Sequence, residues 1–144
     1  MVLEDKTIPE DFAVDETLAA AIRDQLDDGK LACATAFKIA AAHDVTPLQV
    51  GRTADVLQIH LTRCQLGLFG YPGHTKGWDA AHIADQPIPD GLPAALQSRR
   101  DTNGNLACLT LWQLAKEFHV SKMLVGYLAN QLNIKITPCQ LGAF

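Results

Sequence analysis

Four cysteines are the side chains in this sequence best suited to chemistry, and their spacing is regular. Cys33 and Cys64 lie 31 residues apart, and Cys108 and Cys139 lie the same 31 apart. Four thiolates are the right number for a tetrahedral zinc site or an iron–sulfur cluster. No Cys-x-x-Cys occurs, so ligation would require distant pairs to be brought together. Cys33 and Cys108 fall in the first turn of an expected helix, where the macrodipole favours a thiolate and redox chemistry. The same residues also suit the interior of a protein as small hydrophobes, or disulfides in an oxidising compartment.

His74, Trp78 and His82 form a second group, in a stretch with no counterpart elsewhere in the chain. A loop carrying them can hold a ligand; alternatively the Trp covers a junction between halves. His43 and His119 read as surface groups, and Arg99-Arg100 as a solvated helix end. The sequence has no nucleophile with a base, no spaced carboxylate pair, no phosphate-binding glycine loop and no His-x-x-x-His. No enzymatic activity is expected.

The cysteines are regular because the chain is a duplication. Residues 31–69, LACATAFKIAAAHDVTPLQVGRTADVLQIHLTRCQLGLF, recur at 106–144 as LACLTLWQLAKEFHVSKMLVGYLANQLNIKITPCQLGAF, offset by 75 without a gap. Identical positions include Leu31/Leu106, Cys33/Cys108, Ala40/Ala115, Val50/Val125, Gly51/Gly126 and Ala54/Ala129, and both copies end on Cys-Gln-Leu-Gly. Most are small or apolar, as core positions should be. Gly51 and Gly126 differ, because a mid-helix glycine costs about 1 kcal/mol relative to alanine. Its presence in both copies implies that another backbone passes close by.

The elements that position these residues follow in chain order. An acidic arm is expected over 1–14, a first helical repeat over 15–69, a linker loop over 70–91 and a second helical repeat over 92–144. Asp15 can cap a helix to about Asp27 with a Leu18, Ile22, Leu26 stripe, closed by Asp28-Gly29. A second helix is expected from Leu31 to His43. After a tight turn, Thr46 caps a third helix with Pro47 at its first position. Ile59-His60-Leu61-Thr62 alternates as a short strand does. The linker GYPGHTKGWDAAHIADQPIPDG reads as loop with about one helical turn at Asp79–Ala84. A helix over about 92–100 precedes the second copy.

Net charge is −4, and it is unevenly spread. Residues 1–28 carry −7, whereas 29–69 and 104–144 each carry +2. The overall acidity opposes non-specific nucleic-acid affinity, which needs several Lys or Arg on phosphates. There is no run of 18 apolar residues, so no membrane span is expected, and the N-terminus lacks a signal pattern. A cytoplasmic location follows as the default.

Ile39-Ala40, Asp44-Val45-Thr46, Val50, Leu57 and Ile59 resemble a helix-turn-helix, and Leu114-Ala115, His119-Val120-Ser121, Val125, Leu132 and Ile134 repeat it. With the short strand as the start of a wing, the chain resembles winged-helix bacterial regulators. Asp44 and His119 stand where that family usually has a turn glycine, and both tolerate left-handed backbone. The resemblance implies a mainly α fold of two tandem helix-turn-helix (winged-helix-like) repeats with short β segments, related by a pseudo-two-fold. It implies transcription regulation through double-stranded DNA, with Gln49, Arg52, Thr53 and Lys122 facing the DNA. Met123, Leu124 and Tyr127 look like packing residues, so one copy alone would read DNA, or the second would join the halves or a second chain. The competing expectations are a zinc, iron–sulfur or redox protein built on Cys33, Cys64, Cys108 and Cys139, and a protein–protein interaction module, as a homodimer or with another protein.

Overall fold

The computed structural model describes residues 13–144, so most of the acidic arm assigned to 1–14 lies outside the described residues. The described chain is mainly helical, with seven α-helices and one small parallel sheet of two strands. Asp15 caps α1 (Glu16–Asp24), its carboxylate accepting from the N–H groups of Thr17 and Leu18 at 2.8 and 3.2 Å. Leu18, Ala19 and Ile22 are its buried face. The helix stops at Asp24 rather than near Asp27, and Asp28-Gly29 does not cap it. Asp28 and Gly29 have φ of 52° and 76°, and Asp27 and Lys30 exchange backbone hydrogen bonds across them. Two successive left-handed residues make the turn that joins antiparallel strands.

That turn delivers the chain into β1 (Leu31–Ala32), where a helix was expected. β1 pairs in parallel with β2 (Leu61–Thr62), Leu31 opposite Leu61 and Ala32 opposite Thr62. A parallel pair needs a crossover between its strands, and α2 (Cys33–Ala42) with α3 (Pro47–Val56) is that crossover. The expected strand therefore exists, over Leu61–Thr62, and it pairs back onto the chain before α2. In the second copy Leu106 faces Ile136 in the same parallel sense.

Ala36, Ile39 and Ala40 of α2 pack with Val50 and Ala54 of α3, all at most 3% exposed. Asp44 turns the chain between them with φ 53°. Thr46 then caps α3 in a reciprocal box: its hydroxyl accepts from Gln49 N–H at 3.2 Å, and Gln49 Oε1 accepts from Thr46 N–H at 3.1 Å. Thr46→Ala removes the first bond and loosens the second. It should lower stability by about 1 kcal/mol, read as a fall of a few degrees in Tm by circular dichroism.

The second copy is built the same way. α6 (Cys108–Glu117) and α7 (Lys122–Gln131) begin and end 75 residues after α2 and α3. His119 makes the left-handed turn at φ 54°, and Ser121 caps α7 by accepting from Leu124 N–H at 3.1 Å. Before it, the linker carries α4 (Gly77–Ala80) and a 3-10 turn at Ile83–Asp85, then α5 (Leu92–Ser98). Among the described residues no helix is long and apolar enough to cross a membrane.

The chain divides into two compact units whose limits differ from those of the repeats. The first runs to Arg63 and takes in Gln140–Ala143. The second spans Cys64–Cys139 with Phe144. Each repeat's Gln-Leu-Gly ending is thus part of the unit that holds the other repeat's helices. The linker belongs wholly to the second unit, where Trp78 and Ile83 are buried among Leu92, Leu96, Leu111, Leu124 and Leu128.

Candidate functional site

In the first unit α3 turns Val50 and Ala54 inward. Its neighbouring face, at Gly51, is covered by main chain. A Cβ built on Gly51 would overlap the carbonyl oxygen of Leu141 and stand 2.7 Å from its carbonyl carbon. One turn earlier, Leu48 Cδ1 would stand 3.0 Å from a Cβ on Gly142. One turn later, Asp55 is 7% exposed. The segment Gln140–Ala143 therefore lies along α3 as a roof. The second unit has the same arrangement on α7. A Cβ on Gly126 would overlap the carbonyl oxygen of Leu66 and stand 3.0 Å from its carbonyl carbon. Leu66 and Leu141, the residues laid over the two glycines, are 0% and 2% exposed.

Each ending is also a closed loop. Cys64 N–H donates to Phe69 C=O at 3.1 Å and Cys139 N–H to Phe144 C=O at 2.7 Å. In the second unit the first ending is further held by Gly77 N–H to Gly67 C=O, at 2.8 Å, and by Lys76 Nζ to Leu68 C=O, at 3.1 Å. Phe69 and Phe144 meet edge to face at 6.2 Å between centroids.

These roofs decide what the expected DNA-facing residues can do. Gln49 is exposed and Arg52 is half-buried on α3. Thr53 is not available: it is 1% exposed, and its hydroxyl donates to Gln49 C=O at 2.7 Å. A β-hydroxyl one turn on satisfies itself on the preceding carbonyl, which its residue type alone does not reveal. Lys122 is half-buried, as Arg52 is, and has partners in its own unit. Its ammonium sits 3.8 Å from the Trp112 ring centroid and donates to Gln65 Oε1 at 3.3 Å. Of the expected set, Gln49 is exposed, Arg52 and Lys122 are half-buried, and Thr53 is buried. Met123 and Tyr127 are core-packed, as expected. Leu48 and Val56, 37% and 40% exposed, accompany Gln49 and Arg52 on α3.

All four cysteines are thiols. Cys33 and Cys108 are the first residues of α2 and α6. Cys33, Cys64 and Cys108 are buried and Cys139 is half-buried. Cys33 lies in the first unit and the other three in the second. Among the described residues no three His, Cys, Asp or Glu side chains gather where they could hold a metal ion, so the placement gives a four-thiolate zinc or iron–sulfur site no support. His74 and His82 are exposed on their loop. Trp78 faces the core of its own unit. Arg99 pairs with Glu117 at 2.9 Å, and Arg100 with Gly104 C=O and Gln97 at 2.8 and 2.9 Å.

The glycine seats were foreshadowed by two separate signals, the paired mid-helix glycines and the paired Cys-Gln-Leu-Gly endings. That the two features meet needed the structure. Comparison with known proteins returns no matching family model, no matching curated protein and no matching solved structure.

Proposed function

We propose that the chain is a regulatory module of tandem helix-turn-helix type, its two repeats related by a pseudo-two-fold, which works in the cytoplasm through protein contact. The observation that carries this reading is the roof over each third helix. A recognition helix must protrude to enter a major groove about 12 Å wide. Here the faces at Gly51 and Gly126 are covered by the main chain of Leu141 and Leu66. What α3 leaves outward is Leu48, Gln49, Arg52 and Val56, one cation and one amide between two apolar groups. Arg beside apolar side chains suits a protein interface better than a phosphate backbone.

Arg52 favours a second reading, in which the first unit alone binds duplex DNA through Gln49 and Arg52. The two readings separate in one titration. Under the protein-contact reading, fluorescence anisotropy with a random duplex at low salt should give a Kd weaker than about 10−4 M, unchanged by Arg52→Ala. Tighter binding that falls steeply with salt and is lost on Arg52→Ala would establish the DNA reading instead.

A further inference from the structure

The stretch around Trp78, which the identities over 31–69 leave without a counterpart, has one at the same offset of 75. Residues 3–10 (LEDKTIPE) fall on 78–85 (WDAAHIAD). Leu3 stands where the second copy has Trp78 and Ile8 where it has Ile83, and Glu4 and Glu10 fall on Asp79 and Asp85. The acidic arm ahead of α1 is thus the partner, in the repeat, of the linker segment ahead of α5. In the second unit that segment has a visible task. α4 and the 3-10 turn at Ile83–Asp85 pack on α7. Trp78 lies edge to face on Tyr127 at 5.8 Å, and a Cβ on Gly67 would touch both Trp78 and Met123. Trp78 and Ile83 are 5% and 4% exposed. The α3 positions that match Met123 and Tyr127 are Leu48 and Arg52, with Val56 one turn on. Leu48 and Val56 are 37% and 40% exposed. Equivalent positions of a repeat bury equivalent faces, so the face that Trp78 covers on α7 calls for the matching segment on α3.

We propose that residues 3–10, which lie outside the described residues, bind the outward face of α3 in their own chain, Leu3 and Ile8 covering Leu48 and Val56. The differences between the copies agree with this pairing. Where α7 offers Tyr127 to Trp78, α3 offers a cation, Arg52, and the arm offers Leu3 followed by Glu4 and Asp5. An aromatic pair in one unit is matched by aliphatic contact and opposite charge in the other. Charge at an exposed site adds little affinity, so the apolar pair carries the binding and the carboxylates set its place. The arm also starts beside its site, because α1 packs on α3. Ten extended residues reach about 33 Å, and a ten-residue helix is about 15 Å long. The inference rests on the repeat and not on the choice between protein and DNA as target: whichever partner meets this face of α3 must displace the arm.

Methyl NMR on the full chain tests it, with no partner or duplex present. In a 13C-labelled sample the methyl groups of Leu3 and Ile8 should give nuclear Overhauser cross-peaks to those of Leu48 and Val56. Leu3→Asp combined with Ile8→Asp should abolish the contact and shift the Leu48 and Val56 signals. The signals of Ile39 and Val125, in the two cores, should stay in place and so check the folding. A wild-type chain without the cross-peaks overturns the proposal, as do Leu48 and Val56 signals that ignore the double variant. A mixture of labelled and unlabelled chains separates a chain's own arm from that of a second copy. Cross-peaks that arise only between labelled and unlabelled chains would give the face to a second copy and overturn the intramolecular contact. If the double variant fails to fold, Arg52→Glu takes its place. It should weaken the same cross-peaks several-fold by setting like charges together, and cross-peaks of unchanged strength would overturn the proposal.

Discussion

Gly51→Ala and Gly126→Ala should each destabilise the protein by about 2 kcal/mol, the reverse of what alanine does in an exposed helix. In a helix with solvent on that face, the same change gains about 1 kcal/mol of propensity. Here the new methyl meets main-chain carbonyls, of Leu141 in one unit and Leu66 in the other. A main-chain carbonyl cannot rotate aside as a side-chain end can, so the segment must lift. Lifting exposes a leucine that is 2% or 0% exposed in its seat, and unburying a leucine costs about 1.5–3 kcal/mol. The loss of that burial, with the packing around it, outweighs the propensity gain. Urea denaturation should therefore show a lower midpoint for both variants. Gly51→Ala combined with Leu141→Ala should be little worse than the worse single variant, because one change already undoes what the other removes. Gly51→Ala combined with Leu66→Ala concerns two different seats and should be additive. A rise in midpoint for Gly51→Ala would mean that the face is open.

The same glycines show what could be read from the sequence and what could not. A mid-helix glycine repeated at one register reports a close backbone, and a close backbone is what stands there. Which backbone is a different matter. The natural guess is a neighbouring helix, since alanine-rich α2 invites one. The occupant instead comes from the ending of the other repeat, 90 residues away for Gly51 and 60 for Gly126. Period and capping act over a turn or two of chain, and they placed α2, α3, α6 and α7 within a few residues. The capping residues Asp15, Thr46 and Ser121 and the turn residues Asp44 and His119 were legible for that reason. Leu31-Ala32 was not, because its extended form depends on Leu61-Thr62, thirty residues on.

Two of the residues expected to face DNA have partners within the protein, where local chemistry competes with solvent. Thr53 and Lys122 are polar, and polarity suggested an outward face. Thr53 turns its hydroxyl to the Gln49 carbonyl within its own helix. Lys122 finds an aromatic face at 3.8 Å, a cation–π contact that a lysine takes when a Trp lies within reach. The lysine's partners cannot be identified from spacing, because Trp112 and Gln65 lie on other elements. The cysteines are a different case. Their equal spacing is a consequence of the duplication, so it carries no separate information about a metal. In the fold, Cys33 and Cys108 begin helices and Cys64 and Cys139 open the closing loops.

Trp78→Ala should be the most damaging single change in the linker, costing about 3–5 kcal/mol. The stretch around it is rich in Gly and Pro and reads as surface loop, where substitutions usually change stability by less than about 0.5 kcal/mol. The indole is nevertheless only 5% exposed. Its ring packs edge to face on Tyr127 of α7 at 5.8 Å, and the Lys76 ammonium lies 5.6 Å from its centroid. It also walls in the first ending: a Cβ on Gly67 would stand 2.9 Å from Trp78 Cε3 and 3.0 Å from Met123 Cγ. Removing the indole leaves a cavity between α7 and the loop, and takes away the support behind Gln65-Leu66-Gly67. A domain has only about 5–15 kcal/mol in all, so the variant should lose much of its urea resistance. Trp78→Phe keeps an apolar ring against Tyr127 and should recover more than half of the loss. A Trp78→Ala midpoint within error of wild type would show that the loop does not belong to the core. The expected result instead makes the linker a structural part of the second unit, holding the segment that covers α7.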